Sequence, residues 1–156
     1  SCEEFLPAGP EGGGLLTTGV KLRIRPRDDS DGRYGRLEAV DLETGKPLWV
    51  KRRRAPSTSG VLATAGSVVF AGYMDRSLIA FDAANGDELW QSRLGGMPSS
   101  TIISYAVDGK QYVAVITSSG GHHASTFSRL VPEIRNTINQ VSAVWVFALP
   151  DAKPLR

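Results

Sequence analysis

Two adjacent histidines, His122 and His123, a single cysteine, Cys2, and two aspartates in matching surroundings, Asp41 and Asp82, are where chemistry would first be sought in this 156-residue chain. Adjacent side chains in an extended segment point to opposite sides, so the histidine pair does not make a metal site by itself. Asp41 and Asp82 each precede a glycine by four residues, the setting of an acid that organises a reversal rather than of a catalytic carboxylate. No Ser/His/Asp or Cys/His nucleophile pattern stands out, and no phosphate-cradling glycine loop opens a helix. Residues 51–54 (KRRR) are the only basic run. A nucleic-acid site would want more of these with exposed aromatics alongside, so the run reads as a solvated strand end or a partner contact. With one cysteine no disulfide can form within the chain, and the pairing of Cys2 elsewhere is open. No catalytic set assembles from these residues alone, and the reading turns on the frame that holds them.

That frame is all-β. Hydrophobic residues make up 41% and charged residues 22%, the balance of a soluble globular domain of ordinary size. The formal charge of +2 demands no acidic partner, and no apolar run is long enough to cross a bilayer as a helix. The first residues lack the basic and apolar regions of a signal peptide, which predicts that a signal was removed or that the natural N-terminus lies upstream. Residues 59–91 write out one small antiparallel sheet: apolar runs at 61–63, 68–70 and 78–81, then 88–91. They are separated by Ala65-Gly66-Ser67, Asp75-Arg76-Ser77 and Asn85-Gly86, turn signals all, with Gly66 expected to supply the freedom of the first turn. Residues 102–107 and 111–117 form a second hairpin across Asp108-Gly109-Lys110. Residues 118–140 are long for a structureless loop, and such loops are usually functional or partly ordered.

The chain repeats itself. Ala39, Asp41, Gly45 and Trp49 recur as Ala80, Asp82, Gly86 and Trp90, each 41 residues on (90 − 49 = 41), and a third, partial copy covers 143–149 with Phe147 in the place of Phe81. A period of this size belongs to stacked β units such as propeller blades. The small alanine lets a neighbouring sheet approach, the Asp and Gly shape the reversal, and the tryptophan offers a broad face with an N–H that needs a partner. Both Trp49 and Trp90 are therefore expected to be largely buried and paired with main-chain carbonyls.

The spacing A-x-D-x-x-x-G-x-x-x-W, read as AVDLETGKPLW from Ala39 and AFDAANGDELW from Ala80, resembles the tryptophan-docking motif of the eight-bladed quinoprotein alcohol dehydrogenases. GVLATAGSVVFAG (60–72) and DGKQYVAVITSSGG (108–121) resemble the C-terminal blades of that family in wording and order, and the likeness runs from about residue 9 to residue 150. It implies a partial β-propeller of about two and a half four-stranded antiparallel blades, with blade-like repeats near 15–50, 59–92 and 100–149 inside a unit of residues 1–150, followed by a tail at 151–156. It implies the C-terminal portion of a periplasmic dehydrogenase that oxidises an alcohol or sugar with pyrroloquinoline quinone (PQQ) over a Ca²⁺ or lanthanide ion. The metal ligands, the catalytic base and the vicinal disulfide of the family have no counterpart here, so no catalytic or metal-ligating residue is assigned to this chain. The family's metal-ligating Asn belongs to a strand that would end at about Ser1. The implied partners are the remainder of the propeller, a small alcohol or sugar, and a cytochrome c electron acceptor, with no nucleic acid.

By the same resemblance Thr58, Ser59 and Gly60 occupy the place where relatives carry a Trp-Gly-Gly that reaches the quinone, with Thr58 in place of the Trp. His122 stands where methanol-oxidising relatives place another Trp near the active-site mouth. Read from residues alone, 58–60 are equally a turn whose hydroxyls cap backbone groups, and His122 could lie on a solvated loop. The long 118–140 segment is expected to leave its sheet on the side of Thr58, so that Thr58 and His122 flank one depression. The alternative to an enzyme part is a non-catalytic propeller scaffold, such as an outer-membrane assembly lipoprotein. In either case the last strand, at 143–149, is expected to lack a fourth strand beside it, because Pro150, Asp151 and Pro154 break the pattern.

Overall fold

The computed structural model describes residues 2–7, 20–119, 127–134 and 142–149. Strands β1 (Cys2–Pro7) and β2 (Val20–Arg25) pair with each other as an antiparallel hairpin, apart from the sheets that follow. β3 (Gly35–Val40) and β4 (Pro47–Arg53) form a second hairpin. β5 (Leu62–Ala63), β6 (Val68–Gly72), β7 (Ser77–Asp82) and β8 (Glu88–Arg93) then run as a four-stranded antiparallel meander in chain order. In the last sheet β9 (Met97–Pro98) and β10 (Ile103–Val107) lie in succession along one edge of β11 (Lys110–Ser118), and β12 (Ala143–Ala148) lies along the other. With its antiparallel sheets the molecule is a partial β-propeller.

The turns carry the signals expected of them, with one exchange of roles. Asp108 and Gly109 both take left-handed backbone, at φ 50 and 77, the pair of angles a two-residue hairpin turn needs. Gly45 and Gly86 do the same at φ 66 and 73. Between β5 and β6, however, the left-handed residue is Ser67 (φ 58), not Gly66. The Thr64 hydroxyl donates to the Val68 carbonyl and its main-chain oxygen accepts from Ser67, which holds the strained residue in place.

The central meander is the middle layer, and β7 shows why. Ser77 through Phe81 are all buried, the mark of an apolar run covered on both faces. Ile79 and Phe81 face a cluster with Ala55, Val69, Ala71, Tyr73 and Met97, against which Leu37 of β3 packs. Leu78 and Ala80 face the other way, toward Ile102, Val113 and Val115 with Trp145 and Phe147 of β12 packed alongside. Three sheets are thus stacked through two cores.

The two repeat tryptophans do not behave alike. Trp49 is half-buried and its indole N–H donates to the Ala83 carbonyl in the next sheet at 2.9 Å. The ring of Trp90 is 40% exposed, meets Phe147 edge-on at 5.0 Å, and makes no hydrogen bond among the described residues. The expectation that both are buried and paired is therefore corrected for Trp90. Its neighbour on the outer side, the free edge of β12, has no strand beside it among the described residues to cover the ring.

The basic run lies at the partly solvent-exposed end of β4, and alternation there divides its side chains between two sets of ion pairs. Lys51 and Arg53 reach Asp87 and Glu88 of the next sheet, while Arg52 reaches Asp29 and Arg54 reaches Glu133. Arg54 also donates to the main-chain oxygens of Gly32 and Leu130 and lies over the Tyr34 ring at 5.1 Å. One guanidinium so ties two loops together.

Candidate functional site

The segment entering β5 is stitched to two neighbouring strands by hydroxyls and amides. Ser57 bridges Tyr73, and its hydroxyl donates to the Gly72 carbonyl at 3.3 Å. The Thr58 amide donates to the same carbonyl at 3.1 Å. The Ser59 hydroxyl accepts from the Gly72 amide at 2.8 Å and donates to the Gly60 carbonyl at 2.7 Å. The Gly60 amide donates to the Ser100 carbonyl at 3.2 Å.

Glycine at 72 is what lets these layers meet. A Cβ placed there would stand 2.5 Å from Cβ of Pro98 and 2.9 Å from Oγ of Ser59, closer than any side chain tolerates. Pro98 in turn pairs with Thr117 at the far end of β11. The Ser100 hydroxyl accepts from the Ile116 amide and the Ser99 amide donates to the Ile116 carbonyl, both at 3.0 Å. Thr117 is fully buried; its hydroxyl accepts from the Trp145 indole N–H at 3.1 Å and donates to the Ala143 carbonyl. The result is a hydroxyl-rich rim across one end of the second and third sheets.

Of the four positions expected to face a cofactor, the structure brings three to this rim and uses two of them. Ser59 and Gly60 spend their polar groups on the stitching just described. Thr58 does not: its Oγ1 is buried with no hydrogen-bond partner among the described residues. An enclosed hydroxyl without a partner costs free energy of about 1–3 kcal/mol, so Thr58 is the rim position whose polar group the described residues leave unsatisfied. The chain leaves β11 at Ser118, beside Met97 and hence at the same rim, but His122 lies outside the described residues. Among the described residues no group of three or more His, Cys, Asp or Glu stands together to hold a metal.

What the rim can do follows from its chemistry. Hydroxyls and main-chain amides bind and orient; they do not titrate near neutral pH and so supply no general acid or base. Below them Tyr73 is almost completely buried, and burial pushes its phenol up to about 12, against the Arg53 guanidinium that sits 5.2 Å over its ring. It stays a neutral phenol under ordinary conditions. Sequence reasoning found Thr58 through the family likeness but missed Ser100, Thr117 and the Gly72–Pro98 contact. The run Ser99-Ser100-Thr101 was the only local sign of them, and nothing in it indicates a partner 16 residues away.

Comparison with known proteins gives these features a context. Residues 30–113 match the family model of the PQQ glucose/ethanol/alcohol dehydrogenase β-propeller domain. The quinoprotein ethanol dehydrogenase of Pseudomonas putida is 34% identical over 137 residues, which is 88% of this chain and 22% of that one. The 1-butanol dehydrogenase (cytochrome c) of Thauera butanivorans is 42% identical over 100 residues, 64% of this chain and 14% of its own length. A europium-containing methanol dehydrogenase superimposes with a TM-score of 0.67 at 27% identity, over 84% of this chain and 26% of the other. The chain spans between 14% and 22% of the length of the two curated relatives.

Proposed function

The chain belongs to the PQQ glucose/ethanol/alcohol dehydrogenase β-propeller family, and we propose that it forms the C-terminal portion of a periplasmic PQQ-dependent dehydrogenase that oxidises an alcohol or sugar. The observation that carries the reading is the Thr58 hydroxyl, buried with no partner among the described residues, at the position to which the family resemblance assigns a quinone-facing side chain. A quinone supplies the two-electron acceptor that no side chain can. This chain's part would be to bind and orient: Thr58 Oγ1 would donate to the cofactor, while Ser59, Gly60 and Gly72 fix the backbone on either side of that hydroxyl.

The metal, Ca²⁺ or a lanthanide, takes its ligands from blades outside this chain. Support for an alcohol comes from relatives named for ethanol and 1-butanol, and for a cytochrome c acceptor from the second of these. The europium in the methanol dehydrogenase supports a lanthanide as one choice of metal.

The test is a Thr58→Val exchange in the propeller completed by its remaining blades, with quinone affinity followed by fluorescence in the presence of metal. Loss of one hydrogen bond predicts affinity about 3- to 10-fold weaker with the melting curve unchanged or raised. Unchanged affinity removes Thr58 from the site.

A further inference from the structure

Asn85-Gly86 is the only Asn-Gly pair in the chain, and it is a dipeptide able to modify itself. The main-chain nitrogen of the glycine can attack the side-chain amide of the asparagine, because glycine has no Cβ to obstruct the approach and its backbone turns freely. The two halves of that reaction are disposed differently here. Asn85 is exposed, so its amide is open to water, whereas Gly86 is buried.

Three contacts hold the nucleophile back. The Gly86 amide donates to the Asp82 carbonyl at 2.8 Å, so base cannot take its proton until that bond opens. Asn85 Oδ1 accepts from the Asp87 amide at 2.8 Å, which directs the side chain past the glycine nitrogen rather than onto it. The third contact is with the preceding repeat. A Cβ at Gly86 would stand 2.7 and 2.8 Å from Cε3 and Cδ2 of Trp49, and 2.7 Å from Cε of Lys51. Closing a five-membered ring on the Gly86 nitrogen turns the peptide between residues 85 and 86. The indole and the lysine stem occupy the space that this turn needs.

The first repeat supplies the contrast. Gly45 makes the same reversal, with its amide on the Asp41 carbonyl at 2.8 Å and φ 66. Among the described residues, however, nothing stands within 4 Å of its Cβ position. The residue before it is Thr44, which has no amide to attack. The uncovered turn carries a threonine, and the covered turn carries the asparagine.

We propose that Asn85 is a latent deamidation site gated by Trp49, which reacts when the tryptophan leaves Gly86. The step needs water and no oxidant or reductant. The Gly86 nitrogen gives its proton to hydroxide and forms a bond to Asn85 Cγ. The Cγ–Nδ2 bond then breaks, and the nitrogen takes a proton from water and leaves as ammonia. Water opens the resulting succinimide at either carbonyl, which yields aspartate or isoaspartate. Both products add a negative charge between Asp82 and Asp87. Isoaspartate also adds a methylene to the main chain of the turn, so that Gly86 no longer sits opposite Trp49 and one undocking becomes permanent. No quinone enters this chemistry, and it is independent of the dehydrogenase reading.

The test follows conversion of Asn85 from amide to acid by peptide mass spectrometry, in the full-length protein held at mildly alkaline pH. The urea-unfolded protein sets the unprotected rate. The native parent should react at least about 100-fold more slowly, and Trp49→Ala at least about tenfold faster than the native parent. Trp90 packs on Phe147 instead, so Trp90→Ala should gain far less. Trp49→Phe keeps a ring beside Gly86 and loses the bond to Ala83. It should also exceed the parent, and it stands in if the alanine variant does not fold. A native parent as fast as the unfolded protein overturns the proposal. So does the absence of any gain in the folded Trp49 variants, and so does an equal gain from Trp90→Ala, which would mean that general loosening exposes the turn.

Discussion

Gly86 lies face to face with the Trp49 ring: a Cβ at Gly86 would stand 2.7 Å from Cε3 of Trp49. The glycine of one repeat is thus shaped to receive the tryptophan of the repeat before it, and the Trp49 N–H reaches the Ala83 carbonyl from the same position. Among the described residues the equivalent Gly45 has nothing within 4 Å of its Cβ position. One residue type therefore serves two purposes, since Gly86 also needs its left-handed backbone (φ +73) to reverse the chain.

This contact sets an order between the tryptophans. Trp49→Ala should cost about 2–3 kcal/mol, somewhat under the value for a fully buried ring, while Trp90→Ala, half open to solvent, should cost about 1 kcal/mol. Thermal or urea unfolding of both variants measures the difference. Equal losses would mean that the Gly86 seat contributes nothing.

Tyr73 makes the fold sensitive to alkali. Its phenol is raised to about 12 by burial, so the neutral form is favoured by folding. The stability this represents is fully present below the unfolded value of 10.0 and is lost as pH rises toward 12. A Tyr73→Phe variant should unfold at higher pH than the parent. An identical alkaline transition, followed at a wavelength blind to tyrosine ionisation, would assign it elsewhere.

At the acid end the sign reverses. The amides of Thr44 and Glu43 hold the Asp41 carboxyl below its usual 3.8, and Arg54 holds Glu133 below 4.5. Each contributes stability present above the unfolded value and lost as pH falls through the lower folded one. Asp41→Ala should lower the melting temperature at pH 6 and narrow the gap to the parent near pH 2. A gap independent of pH would show that the ionised carboxylate is not what caps the turn.

Arg54 should be irreplaceable by lysine. Its guanidinium holds Glu133, Gly32 and Leu130 at once, a fork that an ammonium cannot reproduce. Arg54→Lys should speed hydrogen exchange in residues 28–34 and 130–134 alike. Faster exchange in one loop alone would show that the two are not coupled through this side chain.

Strand positions and turns were legible because each is a local matter of alternation and turn chemistry, and Asp108-Gly109 falls where its dipeptide says it should. The repeat pointed to stacking because it places Trp49 and Gly86 in fixed phase. Long-range details were not legible. Whether Trp90 is covered depends on a strand beside β12, which no residue of the second repeat encodes. The salt bridges of residues 51–54 depend on which acids the neighbouring sheet presents, and Ser67 in place of Gly66 depends on the Thr64 hydroxyl. Thr58 was visible only through the family likeness; that its hydroxyl finds no partner among the described residues emerges from the packing around it.

The central claim is that these blades supply one wall of a quinone site whose metal ligands lie on other blades. The direct test is calorimetric titration of PQQ, with Ca²⁺ and with a lanthanide, into the isolated 156-residue chain and into the same chain completed by the rest of its propeller. The account predicts stoichiometric, metal-dependent binding to the completed assembly and none to the isolated chain. Stoichiometric binding by the isolated chain, or none by the completed assembly, would contradict it.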